Sequence, residues 1–432
     1  MKYNTRMPKL LMKLVFLFFF LMCFTVPVYA EDEHPEGTPE VYSDYVLLVD
    51  RDNGQVLWSR NSSERMYPAS MTKMMTEIIA IEALSDLYEQ ITITNEMMYG
   101  LYEANASMAG FLPGDEVTVQ DLLYGVALPS GAECVNALAY RIDGSVQAFV
   151  DHMNRKAAEL GMRNTHFVNP TGLHDQNHYS TCIDLEVLLE YCCQNDTFLE
   201  ILQTKQYRTG STASHPDGIL MESTVWRFPE SEQIPGLIGG KTGFTYPAGR
   251  CLASAARING MDLVMITGKA PEDLTGAIRD ASAVYHWCND HLYRTTLLSA
   301  GDSLAYITIL DAKDVDSLRI TGEDTFTWDV TDTDDIQVIQ EFPEVLYTPI
   351  EAGQELGKVT VTVNNELLYQ KTYYTPETIP FSRIEHYKRV LREYRSEHPR
   401  LFKAELVLAG VFIVLVLSVL FRPRKKKKKR RY

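Results

Sequence analysis

Ser70 and Lys73 stand three apart in the segment Pro68-Ala69-Ser70-Met71-Thr72-Lys73, where a β-hairpin pattern gives way to a helical one. On a helix, residues i and i+3 share a face, so this hydroxyl and amine come within reach of each other. A serine hydroxyl is a weak nucleophile at neutral pH and needs such an adjacent base. The start of a helix also carries backbone N–H groups without intrahelical partners, which suit an oxyanion. Two further elements follow: Pro129-Ser130-Gly131-Ala132, between two helical stretches, and Gly239-Gly240-Lys241-Thr242-Gly243, on a predicted strand. Glycines on a strand let a ligand approach the backbone closely, while Lys and Thr offer a positive charge and a hydroxyl. Each element alone reads plainly as a helix cap or a turn. The second serine comes about 60 residues after the first, and Lys-Thr-Gly about 110 after that; in this order the three make a recognised acyl-transfer set.

The elements that must position this set follow from the residue pattern. Tyr45–Val49 and Gln55–Trp58 are apolar runs flanking Asp52-Asn53-Gly54, a hairpin signal because Asn and Gly tolerate positive φ. Ser70–Leu84 is predicted helical, with Met71, Met74, Met75, Ile78 and Ile79 on one stripe that stops at Glu82. Residues 118–141 and 145–161 also read as helical, and residues 163–180, rich in Asn, His, Pro and Gly, as irregular. Strands over 249–258 and 261–267 flank Asn259-Gly260, a second hairpin, and a helix follows over 273–291. After residue 297 the texture changes to short alternating segments such as Ser303–Leu310, Asp335–Gln340 and Gly357–Val363, a small all-β module. Pro376–Phe402 is charged, with Ile384, Tyr387, Val390, Leu391 and Tyr394 at helical spacing, as expected of a stalk.

Charge divides the chain. Its net of −16 hides four basic residues in 1–30 and nine in 422–432, with no acid in either stretch. The 28 basic residues between them face 57 acidic ones, which excludes a nucleic-acid binder, since phosphate contacts need clustered Lys and Arg. Met1–Lys13 is a basic stretch, Leu14–Phe24 an apolar run of 11, and Val28-Tyr29-Ala30 a small-residue cleavage pattern: a secretory signal peptide over 1–30. Residues 31–42 form an acidic lead-in. At the other end Leu406–Phe421 is a charge-free stretch of 16 residues followed at once by the basic tail, the mark of a stop-transfer helix with the tail in the cytoplasm. The division expected is a catalytic domain over 43–296, a β-rich domain over 297–375, a stalk over 376–403, an anchor over 404–422 and a tail over 423–432. Cys134, Cys182, Cys192, Cys193, Cys251 and Cys288 are irregularly spaced and are expected to be free, buried thiols. His174 and His178 are four apart, but in an irregular stretch rather than a helix, so no metal is expected.

The chain resembles the serine-type D-alanyl-D-alanine carboxypeptidases, the low-molecular-mass penicillin-binding proteins of cell-wall metabolism. Beyond the three elements, the resemblance rests on Tyr67-Pro68-Ala69-Ser70, Leu122-Leu123-Tyr124-Gly125, and Asn169-Pro170-Thr171-Gly172-Leu173 followed by His178-Tyr179-Ser180-Thr181 and Asp184-Leu185. It implies an α+β transpeptidase fold, an antiparallel sheet with helices, followed by a small all-β domain and a C-terminal membrane helix. It also implies roles. Ser70 would attack the penultimate D-alanine carbonyl of a peptidoglycan stem peptide, Lys73 would take its proton, and Ser130 would relay a proton to the leaving D-alanine. Lys241 and Thr242 of the Lys-Thr-Gly243 segment would hold the terminal carboxylate, and the N–H groups of Ser70 and Phe244 would line the oxyanion hole. β-Lactams would acylate the same serine, and no cofactor is called for. One position departs from the pattern: the second motif usually reads Ser-x-Asn, and here Ala132 stands third. Glu133 or Asn136 is the expected partial substitute. A D,D-endopeptidase, a β-lactamase and a weakened cell-wall scaffold are the alternatives that share this constellation.

Overall fold

The computed structural model describes residues 34–35, 37–271 and 275–421. The signal-peptide segment and the basic tail lie outside the described residues. Contacts divide the chain into two units, one reaching to Arg294 with Asp329–Asp332 added, the other holding residues 295–328 and 333 onward.

The first unit is built on a five-stranded antiparallel sheet. Its strands are β1 (Tyr45–Asp50), β2 (Gln55–Arg60), β3 (Leu237–Thr245), β4 (Gly249–Ile258) and β5 (Met261–Ala270), in the order β2-β1-β5-β4-β3. Both hairpins expected at Asn-Gly are present, β1–β2 and β4–β5. Side chains alternate faces along a strand, and both faces here are apolar. Leu47, Val49, Ala253 and Ile266 enter one core, while Val46, Leu48, Leu252 and Met265 enter another. The first core is shared with α1 (Lys73–Ala83), α4 (Val146–Leu160) and α5 (Cys182–Cys193). The second is closed by α6 (Gly276–His291), through Ile278, Ala281, Val284 and Tyr285. A third core lies among helices, where α2 (Val119–Ala127) and α3 (Ala132–Asp143) meet Ala80 of α1. The layers are therefore helix, sheet and helix, with a helical cluster beside them. This is the expected α+β arrangement.

The stretch read as helical over 118–141 is two helices. Leu128-Pro129-Ser130-Gly131 separates α2 from α3, because Pro129 lacks an N–H and Ser130 takes φ +67°. Likewise Ser70 does not begin an α-helix. Ala69–Thr72 forms a tight 3₁₀ turn that leads into α1 at Lys73.

The second unit contains two three-stranded sheets around Ile307, Ile309, Ile350, Val359 and Val361. Its last part is two helices, α7 (Arg383–Glu397) and α8 (Pro399–Leu420). Asp311 accepts from both Arg389 nitrogens, Nε at 2.8 Å and Nη2 at 2.9 Å, which fixes α7 to the strand-rich part. Helix α8 starts at Pro399, seven residues ahead of the apolar run, because proline suits the first helical turn. At 1.5 Å per residue its 22 residues reach about 33 Å, against a hydrocarbon core of about 30 Å. Its window Pro399–Ser418 has a mean hydropathy of 2.3 and no buried residue, so by length and composition it fits a membrane anchor.

Candidate active site

Ser70 sits at the mouth of a groove whose walls also carry Ser130, Thr242, Gly243 and Phe244. The structure thus brings the three sequence elements, Ser70 and Gly243 being 173 positions apart, to one place. The turn that presents Ser70 is held in an unusual backbone conformation, with Ala69 at φ +47°. Non-glycine residues in that region cost of order 1–3 kcal/mol and persist only where their surroundings impose them. Two glycines do so. A Cβ on Gly172 would lie 1.9 Å from the Ala69 carbonyl oxygen, and one on Gly243 would lie 3.0 Å from Ala69 Cβ and 3.1 Å from Ser70 N. Strand β3 and the loop at Asn169–Leu173 therefore clasp the serine turn from two sides, and both approaches need glycine.

Lys73 lies on the first turn of α1 and is 2 % exposed. Its Nζ is 3.0 Å from Ser70 Oγ and donates to the Thr171 carbonyl at 2.6 Å. Burial holds this amine well below the usual lysine range, and the nearby Lys241 pushes it the same way, while Glu133 opposes them. Lys241 is itself buried, on the central part of β3, and burial lowers it to about 8. Thr242 faces the groove, its hydroxyl donating to Thr224 Oγ1 at 2.6 Å. Ser130 Oγ is buried without a hydrogen-bond partner, on a residue in the left-handed region. An unpaired buried hydroxyl is costly in a folded protein and is found where a ligand completes it.

The loop Asn169–Leu173 was recognisable as a segment, but its task was not. Asn169 Oδ1 accepts from Thr171 N at 3.2 Å, Thr171 Oγ1 at 2.9 Å and Gly172 N at 2.8 Å, which turns the Thr171 carbonyl toward Lys73. The clustering of Asn, Pro and Gly signals a turn; only the fold shows what it faces.

Ala132 opens α3, with its N–H on the Ser107 carbonyl at 2.8 Å. Asn136 does not replace the missing amide. Its Nδ2 donates to the Met97 carbonyl at 2.8 Å, and it lines a separate hollow with Tyr99 and Tyr140. Glu133 stays with the site differently. Its Oε1 accepts the N–H groups of Ala109 and Gly110, both at 2.7 Å, pinning the loop that packs against Gly131, while Oε2 is buried and unpartnered. His178 is a structural residue: Nε2 is 2.8 Å from Thr72 Oγ1, and burial lowers its pKa to about 4. Among the described residues no group of His, Cys, Asp or Glu could hold a metal ion, and the six cysteines are free and buried.

Residues 32–271 match the D-alanyl-D-alanine carboxypeptidase family, and residues 293–380 match the penicillin-binding protein 5, C-terminal domain. The chain belongs to the D-alanyl-D-alanine carboxypeptidase family. It is 30% identical over 335 residues to D-alanyl-D-alanine carboxypeptidase DacF of Bacillus subtilis, covering 74% of this chain and 82% of that protein. To the D-alanyl-D-alanine carboxypeptidase of Streptomyces strain K15 it is 33% identical over 221 residues, 49% of this chain and 75% of that one. Its fold is similar to penicillin binding protein 5 from Haemophilus influenzae, with a TM-score of 0.58 at 24% identity, over 80% of this chain and all of the other. The chain is thus a serine-type carboxypeptidase of the low-molecular-mass penicillin-binding class, and the transpeptidase-like fold expected from its motifs is the fold it has.

Proposed function

We propose that this carboxypeptidase removes the terminal D-alanine of peptidoglycan stem peptides through an acyl-enzyme on Ser70. The observation that carries the reading is the buried Lys73 amine, 3.0 Å from Ser70 Oγ and tied to the Thr171 carbonyl. A desolvated, neutral amine donates to that carbonyl and keeps its lone pair for the serine proton. Ser70 Oγ then bonds to the penultimate D-alanine carbonyl carbon, and the N–H groups of Ser70 and Phe244 receive the oxyanion. Ser130, whose hydroxyl has no protein partner, hands a proton to the departing amine as the peptide bond breaks. Lys241 and Thr242 receive the terminal carboxylate. Water then enters, cleaves the ester and returns the proton to Ser70. β-Lactams present a strained amide to the same serine, and their ring opening leaves the acyl group attached.

The signal-peptide and stop-transfer patterns support an extracytoplasmic location. An exported catalytic unit held by α8, with the basic tail in the cytoplasm, places the groove where the cell-wall peptides are. Ala132 leaves nucleophile, base, relay and anion site in place, so it bears on efficiency rather than on reaction class.

Turnover of a diacetyl-Lys-D-Ala-D-Ala peptide tests the activity. One D-alanine released per peptide, lost in Ser70→Ala, is expected. Cleavage of crosslinked dimers without release from this peptide would assign the endopeptidase reaction instead.

A further inference from the structure

Helix α1 carries a second buried ionisable group one turn beyond Lys73. Glu77 is four residues beyond Lys73, one helical turn, and is 2 % exposed. Its Oε1 has no hydrogen-bond partner. A buried carboxyl left unpaired is expensive, and the mechanism above gives it no task. Glu77 and Lys241 both line a narrow cavity between α1 and β3, together with Ser223 and apolar residues that include Met74, Leu128, Phe198 and Leu202. No ion pair joins them directly among the described residues, and Lys241 Nζ reaches only the Thr242 carbonyl, at 3.3 Å. The cavity has room for a single water, and it offers that water polar groups from both residues.

We propose that Glu77 is a positioning residue, joined to Lys241 through a water in this cavity, that keeps Lys241 cationic for the carboxylate of the substrate. The proposal rests on the reading that Lys241 receives that carboxylate. The cavity shares no lining residue with the groove, so Glu77 does not occupy the substrate's place. The electrostatics agree with the geometry. Burial raises Glu77 to about 8 and lowers Lys241 to about 8, and each counters the other's shift. Lys73, by contrast, feels Lys241 and Glu133. The other titratable groups facing Glu77 are Tyr124 of α2 and Cys192 of α5, both held neutral by burial that raises their pKa values.

The device separates the two lysines. Lys73 must be neutral to act as a base, and Lys241 must be charged to hold a carboxylate. Below about pH 8 the carboxyl of Glu77 is protonated and adds no charge beside Lys241. As pH rises, Glu77 ionises, and its attraction lets Lys241 keep its proton to a higher pH than burial alone would allow. The carboxylate site therefore stays cationic further into the alkaline range.

Glu77→Gln tests this, because the amide matches the protonated acid in shape and cannot ionise. At about pH 6 its KM for the D-Ala-D-Ala peptide should match the parent's, whereas at about pH 9 it should be about tenfold higher, with kcat within about threefold. Glu77→Met, of similar size, serves if the Gln variant does not fold, and should show the same divergence at high pH. A KM ratio that does not change with pH, or kcat falling equally at both, would overturn the proposal. Labelled penicillin separates the two levels of the account. An adduct on Ser70 with an unmoved pH profile removes the role of Glu77 alone, and the absence of any adduct removes the reading beneath it.

Discussion

Thr171 holds the amine of Lys73 by its carbonyl oxygen, at 2.6 Å. A loop outside the three motifs thus orients the Lys73 amine, and the same loop braces the strained Ala69 turn through Gly172. The two contacts come from adjacent residues, Thr171 and Gly172, so the serine turn and the lysine are set by one piece of backbone.

Gly172→Ala is therefore expected to damage both stability and acylation. Its φ is +81°, and the new Cβ would fall 1.9 Å from the Ala69 carbonyl oxygen, a backbone atom with nowhere to go. The cost should be about 2 kcal/mol or more, a fall in Tm of about 4–8 °C, read by calorimetry. Gly54→Ala, at a hairpin with open space around it, should cost clearly less despite φ +74°.

Lys73→Arg should acylate about 10²–10⁴-fold more slowly with labelled penicillin, since guanidinium cannot give up its proton. In the parent enzyme the acylation rate should rise with pH through an apparent pKa well below 10.5, because burial and Lys241 both lower Lys73. Stopped-flow acylation across pH checks the profile. Fast acylation by the Arg variant would move the base elsewhere.

His178 should give the catalytic unit an acid-labile component of stability. Its folded pKa is about 4 against an ordinary 6.5, so between those values the unfolded chain binds a proton that the folded one refuses. Stability is then full above about pH 6.5 and falls as pH drops toward 4, by about 3 kcal/mol in all. Urea unfolding across that window should show the slope, and His178→Asn should flatten it.

Membrane topology can be read directly. With α8 spanning and the basic tail inside, protease outside intact spheroplasts should spare a tag at Tyr432 and digest the catalytic unit. High salt should not release the full-length protein. Truncation near Pro399 should give a soluble, penicillin-binding form.

How much the sequence revealed depended on whether the determining contacts were local. The Asn-Gly hairpins, the apolar stripe of α1 and the alternation after residue 297 are set by neighbouring residues, and they appear as expected. Ser70, Lys73, Ser130 and Lys241 stand out by residue type and order, and the fold draws the segments that carry them together. What was missed is tertiary. The 3₁₀ turn at Ala69 is imposed by Gly172 and Gly243 from distant segments. Asn136 looked available one turn beyond Ala132, yet the fold spends its amide on Met97. Glu77 was visible at helical spacing from Lys73, but its meaning depends on a strand about 160 positions later.

The most direct measurement is peptide mapping by mass spectrometry of the protein after brief exposure to labelled penicillin, beside Ser70→Ala. The account expects one label per chain, on the peptide carrying Ser70, and none on the variant. Label on another residue, or undiminished labelling of Ser70→Ala, would contradict it.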